Sequence, residues 1–158
     1  MKTIGIVPVR MAASRFPGKP LHPIHGKAML EHVFQRAKLY KCWDHLVIAT
    51  CDQEIEQFSK KKGFPVVMTG SHHTRALDRV AEGCEKLDVE LSEQDIVVCV
   101  QGDEPMMRPD MITATVKPML DNADVNGVVL SMPIIDEAQF NDPNTLKIIH
   151  NIKGDILY

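Results

Sequence analysis

Residues 3–38 read TIGIVPVRMAASRFPGKPLHPIHGKAMLEHVFQRAK, and the succession of patterns within them decides the fold. Thr3 to Val7 is a short β-branched run, apolar on both faces, which suits a strand buried in a parallel sheet better than a half-exposed one. RMAASRFPGKP follows, and its two prolines and one glycine forbid a helix there. His22 and His25 flank Pro23 in what reads as a small surface hairpin. From Ala28 the period becomes helical. Met29, Val33 and Ala37 fall at i, i+4 and i+8, Leu30 and Phe34 widen the stripe, and Glu31, Gln35 and Lys38 face out.

The same alternation continues outward from this unit. His45 to Thr50 (HLVIAT) is a second buried strand, and Asp52 stands where it can cap a helix carrying Ile55 and Phe58 that Gly63 ends. Val66 to Met68 is a third strand. A polar loop through His73 leads to a helix with Leu77, Val80, Ala81, Cys84 and Leu87. Ile96 to Val100 (IVVCV) is the strongest strand signal, and Pro109 starts a helix with Ile112, Val116 and Leu120. Val128 to Met132 is expected to form a further strand, as are Leu146 to Ile149 and, after a turn at Lys153 to Asp155, the residues from Ile156. Strands alternating with helices at this spacing predict an α/β fold: three layers around a mostly parallel sheet.

The composition bounds the function. With 158 residues, 44% hydrophobic and 25% charged, the chain is expected to form one ordinary globular domain, which excludes disorder and collagen-like repeats. No run approaches the roughly 18 apolar residues of a membrane span, and no signal-peptide core develops before Pro8 and Arg10, so no membrane partner and a cytoplasmic location are expected. Cys42, Cys51, Cys84 and Cys99 lack C-x-x-C spacing and read as reduced core residues. Charge is distributed unevenly. Residues 1–41 hold eight basic side chains and one acid, whereas residues 42–158 hold ten and twenty. The amino-terminal part therefore suits an anion. The net charge of -3 disfavours nucleic acid but not a small polyphosphate.

Ligands of parallel α/β sheets bind beyond the carboxyl ends of the strands, so Arg10 to Pro20, Asp52, Gly70 to Arg79 and Gln101 to Pro105 are the informative segments. A Walker A loop would need Gly at 13 and Ser or Thr at 20, where Ala13 and Pro20 stand, and no Gly-x-Gly pair exists for a dinucleotide fingerprint. What remains after the first strand is Arg10, Arg15 and Lys19 on a loop folded back by Pro17 and Gly18. Two planar forks and a point charge suit a triphosphate, although a solvated basic loop has the same composition. In QGDEP, the segment after the strongest strand, Asp103 and Glu104 stand opposite that loop. Mg²⁺ is held by one or two carboxylates plus phosphate oxygens, and Asp103 is the better ligand, although a turn or helix cap would also account for the pair. His72 and His73 are set aside as metal ligands because adjacent side chains in a loop point apart and no third ligand is evident. Arg36 and Lys38 read as solvated.

RMAASRFPGKPLHPIHGKAMLEHVFQRA, VIATCDQEI, HHTRALDRVAE, VQGDEPM and FNDPNTLKIIHNIKGDILY resemble, in order, the blocks of the 3-deoxy-manno-octulosonate cytidylyltransferase (CMP-Kdo synthetase) family. The resemblance implies a nucleotide-diphospho-sugar transferase-like, Rossmann-like fold. It also implies transfer of CMP from CTP to the anomeric hydroxyl of a 2-keto-3-deoxy sugar acid, with Mg²⁺ as cofactor and pyrophosphate released. It assigns the nucleotide to Pro8, Val9, Arg10, Ser14, Arg15, Lys19, His73, Arg75 and Gln101, the sugar to Arg79 and Gln101, the metal to Asp103, and catalysis to Arg10, Lys19 and Asp103. A cytidylyltransferase for another, sialic-acid-like sugar acid and a non-catalytic nucleotide-binding module are the alternatives. The family has Ser-Gly-Thr where this chain has Arg75, Ala76 and Leu77, which points to a modified sugar acid. Family members continue for roughly another half of this length. Residues 1–158 are thus expected to be a nucleotide-binding domain lacking the carboxyl-terminal part that supplies a further metal-binding Asp, sugar contacts and much of a homodimer surface, and to be weak or inactive alone.

Overall fold

A computed structural model describes residues 1–12 and 16–158. Its centre is a four-stranded parallel sheet. The strands are β1 (Thr3–Val9), β4 (His45–Thr50), β5 (Val66–Met68) and β6 (Ile96–Cys99), in the order β5-β4-β1-β6. The order reverses at β1, which pairs with β4 on one side and β6 on the other. Pro23–Ile24 (β2) and Lys27–Ala28 (β3) form the expected small antiparallel hairpin. The helices are α1 (Met29–Ala37), α2 (Gln53–Lys62), α3 (Ala76–Glu85), α4 (Pro109–Asp121) and the short α5 (Glu137–Asn141).

Alternation along the strands builds two apolar layers. Val7 and Val9 of β1, Ile48 of β4, and Ile96 and Val98 of β6 face α1, α2 and α4, whose Leu30, Val33, Phe34, Ile55, Ile112 and Val116 complete that layer. Ile4, Ile6, Val47 and Ala49 point the other way and pack with Val80 of α3, supported by Cys84, Leu87 and Cys99. Each fully buried aliphatic side chain contributes about 1.5–3 kcal/mol. β1 is buried along its whole length because it receives helices on both faces and strands on both edges. It extends two residues beyond the expected Val7, through Pro8 to Val9.

Some expectations are corrected. Val128 to Met132 forms no strand, and neither does Leu146 to Ile149. Among the described residues neither run enters a strand ladder, although Ile149 exchanges backbone hydrogen bonds with Leu157 and Tyr158, and Val129, Leu130, Met132 and Leu146 stand exposed. Only the single bridge His150–Ile156 forms near the end. The chain clusters into two units, Met1–Val128 and Val129–Tyr158. Leu77 and Leu120, expected on buried faces, are exposed. The cysteines are unpaired as expected, but Cys42 is exposed and the other three are only partly buried. No helix of the described residues is long and apolar enough to cross a membrane.

Candidate functional site

Because all four central strands run parallel, their carboxyl ends share one edge, and the loops singled out in the sequence meet there. The loop after β1 is tied to each of the other three. Arg10 Nη1 donates to the His73 carbonyl at 3.4 Å, the Met11 amide donates to Asp52 Oδ2 at 2.8 Å, and Lys19 Nζ lies 2.9 Å from Asp103 Oδ2. Asp52 stands at the N-cap position of α2 but does not cap it with its side chain. Its carboxylate is turned to Met11 instead, while its own amide donates to Thr50 Oγ1 at 3.1 Å. Tethering the loop won over capping.

A cavity of about 590 Å³ opens between the loops after β1 and β6, with Pro8, Val9, Arg10, Lys19, Gln101 and Asp103 among its lining residues. Among the described residues, two cations and one carboxylate therefore face the same space. Gly18, at φ 74°, supplies the left-handed turn that swings Lys19 back toward the sheet. Gly102 is buried against β1, where a Cβ would come within 2.6 Å of the Pro8 carbonyl oxygen. Only glycine lets the QGDEP loop approach β1 closely enough to bring Gln101 and Asp103 beside Arg10. Arg36 is partly buried rather than solvated: its Nε donates to the Met107 carbonyl at 2.6 Å and pins the far end of the same loop to α1.

A second cleft of about 250 Å³ shares Pro8, Val9 and Arg10 with the first and continues to His73, Thr74, Arg75, Ala76 and Arg79. Arg79 is buried. Its Nη1 donates to Thr69 Oγ1 and, at 3.2 Å, to the Gly70 carbonyl. His73 Nε2 bonds to Glu82 Oε2, and Glu82 also accepts from the Gly70 amide at 2.8 Å and pairs with Lys86 at 2.7 Å. Those donors, Lys86 first, hold the Glu82 carboxyl down to about 2. Sequence reasoning missed Glu82, because nothing in nine residues of spacing announces that from nearly two turns inside α3 it returns to the loop. His72 and His73 do not point apart as their adjacency suggested: their rings are 4.2 Å apart, and Glu82 brings a third ligand-type atom within 4.8 Å of both.

Of the residues anticipated from sequence, Pro8, Val9, Arg10, Lys19, Gln101 and Asp103 line the first cavity, and His73, Arg75 and Arg79 line the second with Arg10 between. Ser14 and Arg15 lie outside the described residues.

Residues 4–158 match the family described as Cytidylyltransferase. The chain is 41% identical over 155 residues to a 3-deoxy-manno-octulosonate cytidylyltransferase of Nitratidesulfovibrio vulgaris, covering 98% of this chain and 60% of that protein. It is 37% identical over 158 residues to the Syntrophotalea carbinolica protein of the same name, covering 100% of this chain and 61% of that one. Among solved structures, CMP:2-keto-3-deoxy-manno-octonic acid synthetase complexed with CTP superposes with a TM-score of 0.83 at 32% identity, over 100% of this chain and 63% of its own. A 4-diphosphocytidyl-2C-methyl-D-erythritol synthase from Anaerococcus prevotii, 19% identical with a TM-score of 0.57 over 77% of this chain and 52% of its own, shares the fold. The chain spans about three fifths of the length of the curated relatives it matches.

Proposed function

Because the chain belongs to the cytidylyltransferase family, we propose that it transfers CMP from CTP to the anomeric hydroxyl of 3-deoxy-manno-octulosonate (Kdo), or of a close analogue, and releases pyrophosphate. One observation carries this reading: Arg10, Lys19 and Asp103 face a single cavity at the carboxyl edge of β1 and β6, beside Gln101. Two cations there are opposite in sign to a triphosphate and to its leaving pyrophosphate and offset part of their charge.

Arg10 and Lys19 would hold the phosphate oxygens, Lys19 exchanging its partner Asp103 for them. The Pro8 and Val9 backbone forms the wall against which the nucleotide lies, and Gln101 orients nucleotide or sugar from the opposite loop. Arg15, the third cation of the loop after β1 in the sequence, would join Arg10 and Lys19 on the triphosphate, and Ser14 is assigned to the nucleotide by the resemblance alone. With the sugar hydroxyl in line, its oxygen bonds to the α-phosphorus and gives up its proton to solvent as the bond to the bridging oxygen breaks and pyrophosphate leaves, and little is asked of the protein beyond position and charge neutralisation. The donor set fits Mg²⁺: among the described residues Asp103 is the one carboxylate lining the cavity, and it is exposed, in the pattern of a hard cation held by one carboxylate and phosphate oxygens. Asp103 would hold that ion, which when bound neutralises charge on the phosphates. We further propose action in the cytoplasm and, on the exposed apolar side chains of residues 129–158, assembly as a homodimer.

The test is Mg²⁺-dependent release of pyrophosphate from CTP in the presence of Kdo or of a sialic acid, with the CMP-sugar identified by mass. CMP-Kdo is the expected product. Binding of CTP without pyrophosphate release would favour a nucleotide-binding module, and a preference for the sialic acid would favour the other sugar-acid transferase. Failure to bind CTP would overturn the assignment.

A further inference from the structure

Resting on the reading of Asp103 as the ligand of a hard cation, we propose that Arg36 is a positioning residue: it acts through the loop after β6 and holds Asp103 where cation and phosphates meet. Asp103 does not hold that place by itself. It is exposed, and among the described residues its carboxylate has one partner, Lys19, partly exposed and 2.9 Å away. An ion pair so open to solvent fixes little, so the place of Asp103 is set by the backbone that carries it.

That backbone is short and anchored at both ends. The Glu104 amide donates to the Gln101 carbonyl and the Met107 amide to the Glu104 carbonyl, each at 3.2 Å, so residues 101–107 are two turns in series with Asp103 in the first. At one end, buried Gly102 lies against the Pro8 carbonyl of β1. At the other, Met107 closes the second turn, packs its side chain against the apolar layer that contains α1, and gives its carbonyl to Arg36 Nε at 2.6 Å. A displaced Met107 therefore moves the turn that carries Asp103. Arg36 is suited to prevent it. Leu30, Val33, Phe34 and Ala37 bury α1 against the sheet, Met29 at its start lines the larger cavity, and Arg36 stands in its last turn. One rigid helix thus refers cavity wall and loop to the same frame. A permanently charged donor makes a short, strong bond to a carbonyl. Arg36 lines neither cavity, so its influence on a ligand passes through Met107 and not through contact.

The test measures CTP binding to the 158-residue chain by calorimetry, without metal and with Mn²⁺, which takes the same hard ligands as Mg²⁺ and reports its own binding by electron paramagnetic resonance. With no sugar acid present, no turnover intervenes. In the parent, Mn²⁺ is expected to tighten CTP, and Asp103→Ala to abolish that gain. Arg36→Met, which keeps the apolar stem and loses the donor, is expected to cut the gain about tenfold while leaving metal-free CTP binding within about twofold. Arg36→Lys, which restores a charged donor, is expected to recover most of it. Gly102→Ala disturbs the opposite anchor with Arg36 intact; it is expected to cut the gain as well, and it carries the test should Arg36→Met fail to fold. A gain undiminished in Arg36→Met and in Gly102→Ala would overturn the proposal. So would metal-free and metal-bound affinities that fall together in Arg36→Met, the mark of a merely structural role. An Asp103→Ala chain that keeps the gain would overturn the metal assignment itself, and the proposal with it.

Discussion

Asp103 and Glu82 are both carboxylates at the sheet edge, and their surroundings give them opposite work. Asp103 is exposed and touches one partner, Lys19, so it is free to take part in binding. Glu82 is saturated by Gly70, His73 and Lys86 and holds the loop before α3 in shape. Asp103→Ala is therefore expected to lower CMP transfer at least about 100-fold, through lost charge stabilisation, with little change in melting temperature. Undiminished turnover would show that the metal is held elsewhere. Glu82 acts on stability through pH. Its folded carboxyl sits at about 2, below the ordinary 4.5, so the folded state holds fewer protons than the unfolded one between those values. The stabilisation is complete above pH 4.5 and disappears as pH falls toward 2. Glu82→Gln is expected to be less stable than the parent to urea at pH 7, with the gap narrowing at pH 3. A gap constant across that range would mean that ionised Glu82 contributes nothing.

The elements matter chiefly for what their ends hold together. The loop after β1 is tied to the loops after β4, β5 and β6 through Met11, Arg10 and Lys19, so loosening one tie slackens the site without touching the core. Asp52→Ala is expected to lower stability by about 1–3 kcal/mol and to raise the KM for CTP more than it lowers kcat, whereas Asp52→Asn, which keeps an acceptor for the Met11 amide, recovers most of both. An unchanged KM in Asp52→Ala would remove the tether from the account. The strands and helices that build the sheet edge were legible from sequence because their periodicity reflects burial: β4 and β5 begin and end where HLVIAT and VVM do. Asp52 was legible as a helix start but not as a tether, since capping is a local pattern and the Met11 amide lies 41 residues away. The same limit hid Glu82 and the close approach of Gly102 to Pro8. Arg10, Lys19 and Asp103 were legible because they follow strands whose carboxyl ends a parallel sheet must gather.

On the scale of the whole molecule, the uneven charge is sharpened by where its members lie. Of the basic residues in 1–41, Arg10 and Lys19 line the larger cavity, while Arg36 is occupied with the Met107 carbonyl and Lys2 with Asp95 and Glu90. The anion-binding character is thus concentrated in one loop. Stability is unevenly distributed as well. Met1–Val128 contains the sheet and both apolar layers, whereas Val129–Tyr158 has one five-residue helix and one bridge, too little to order a chain by itself. Leu146 and Ile156 are 92% and 53% exposed, where the sequence pattern anticipates strand residues. Local opening should therefore begin in residues 129–158. Limited proteolysis at low enzyme ratio is expected to remove them first and leave a fragment ending near Val128 that unfolds cooperatively and still binds CTP, because the cavity residues all precede that point. Equally fast cleavage within residues 1–128, or a fragment that melts without a cooperative transition, would show that the last thirty residues are integral to the folded core.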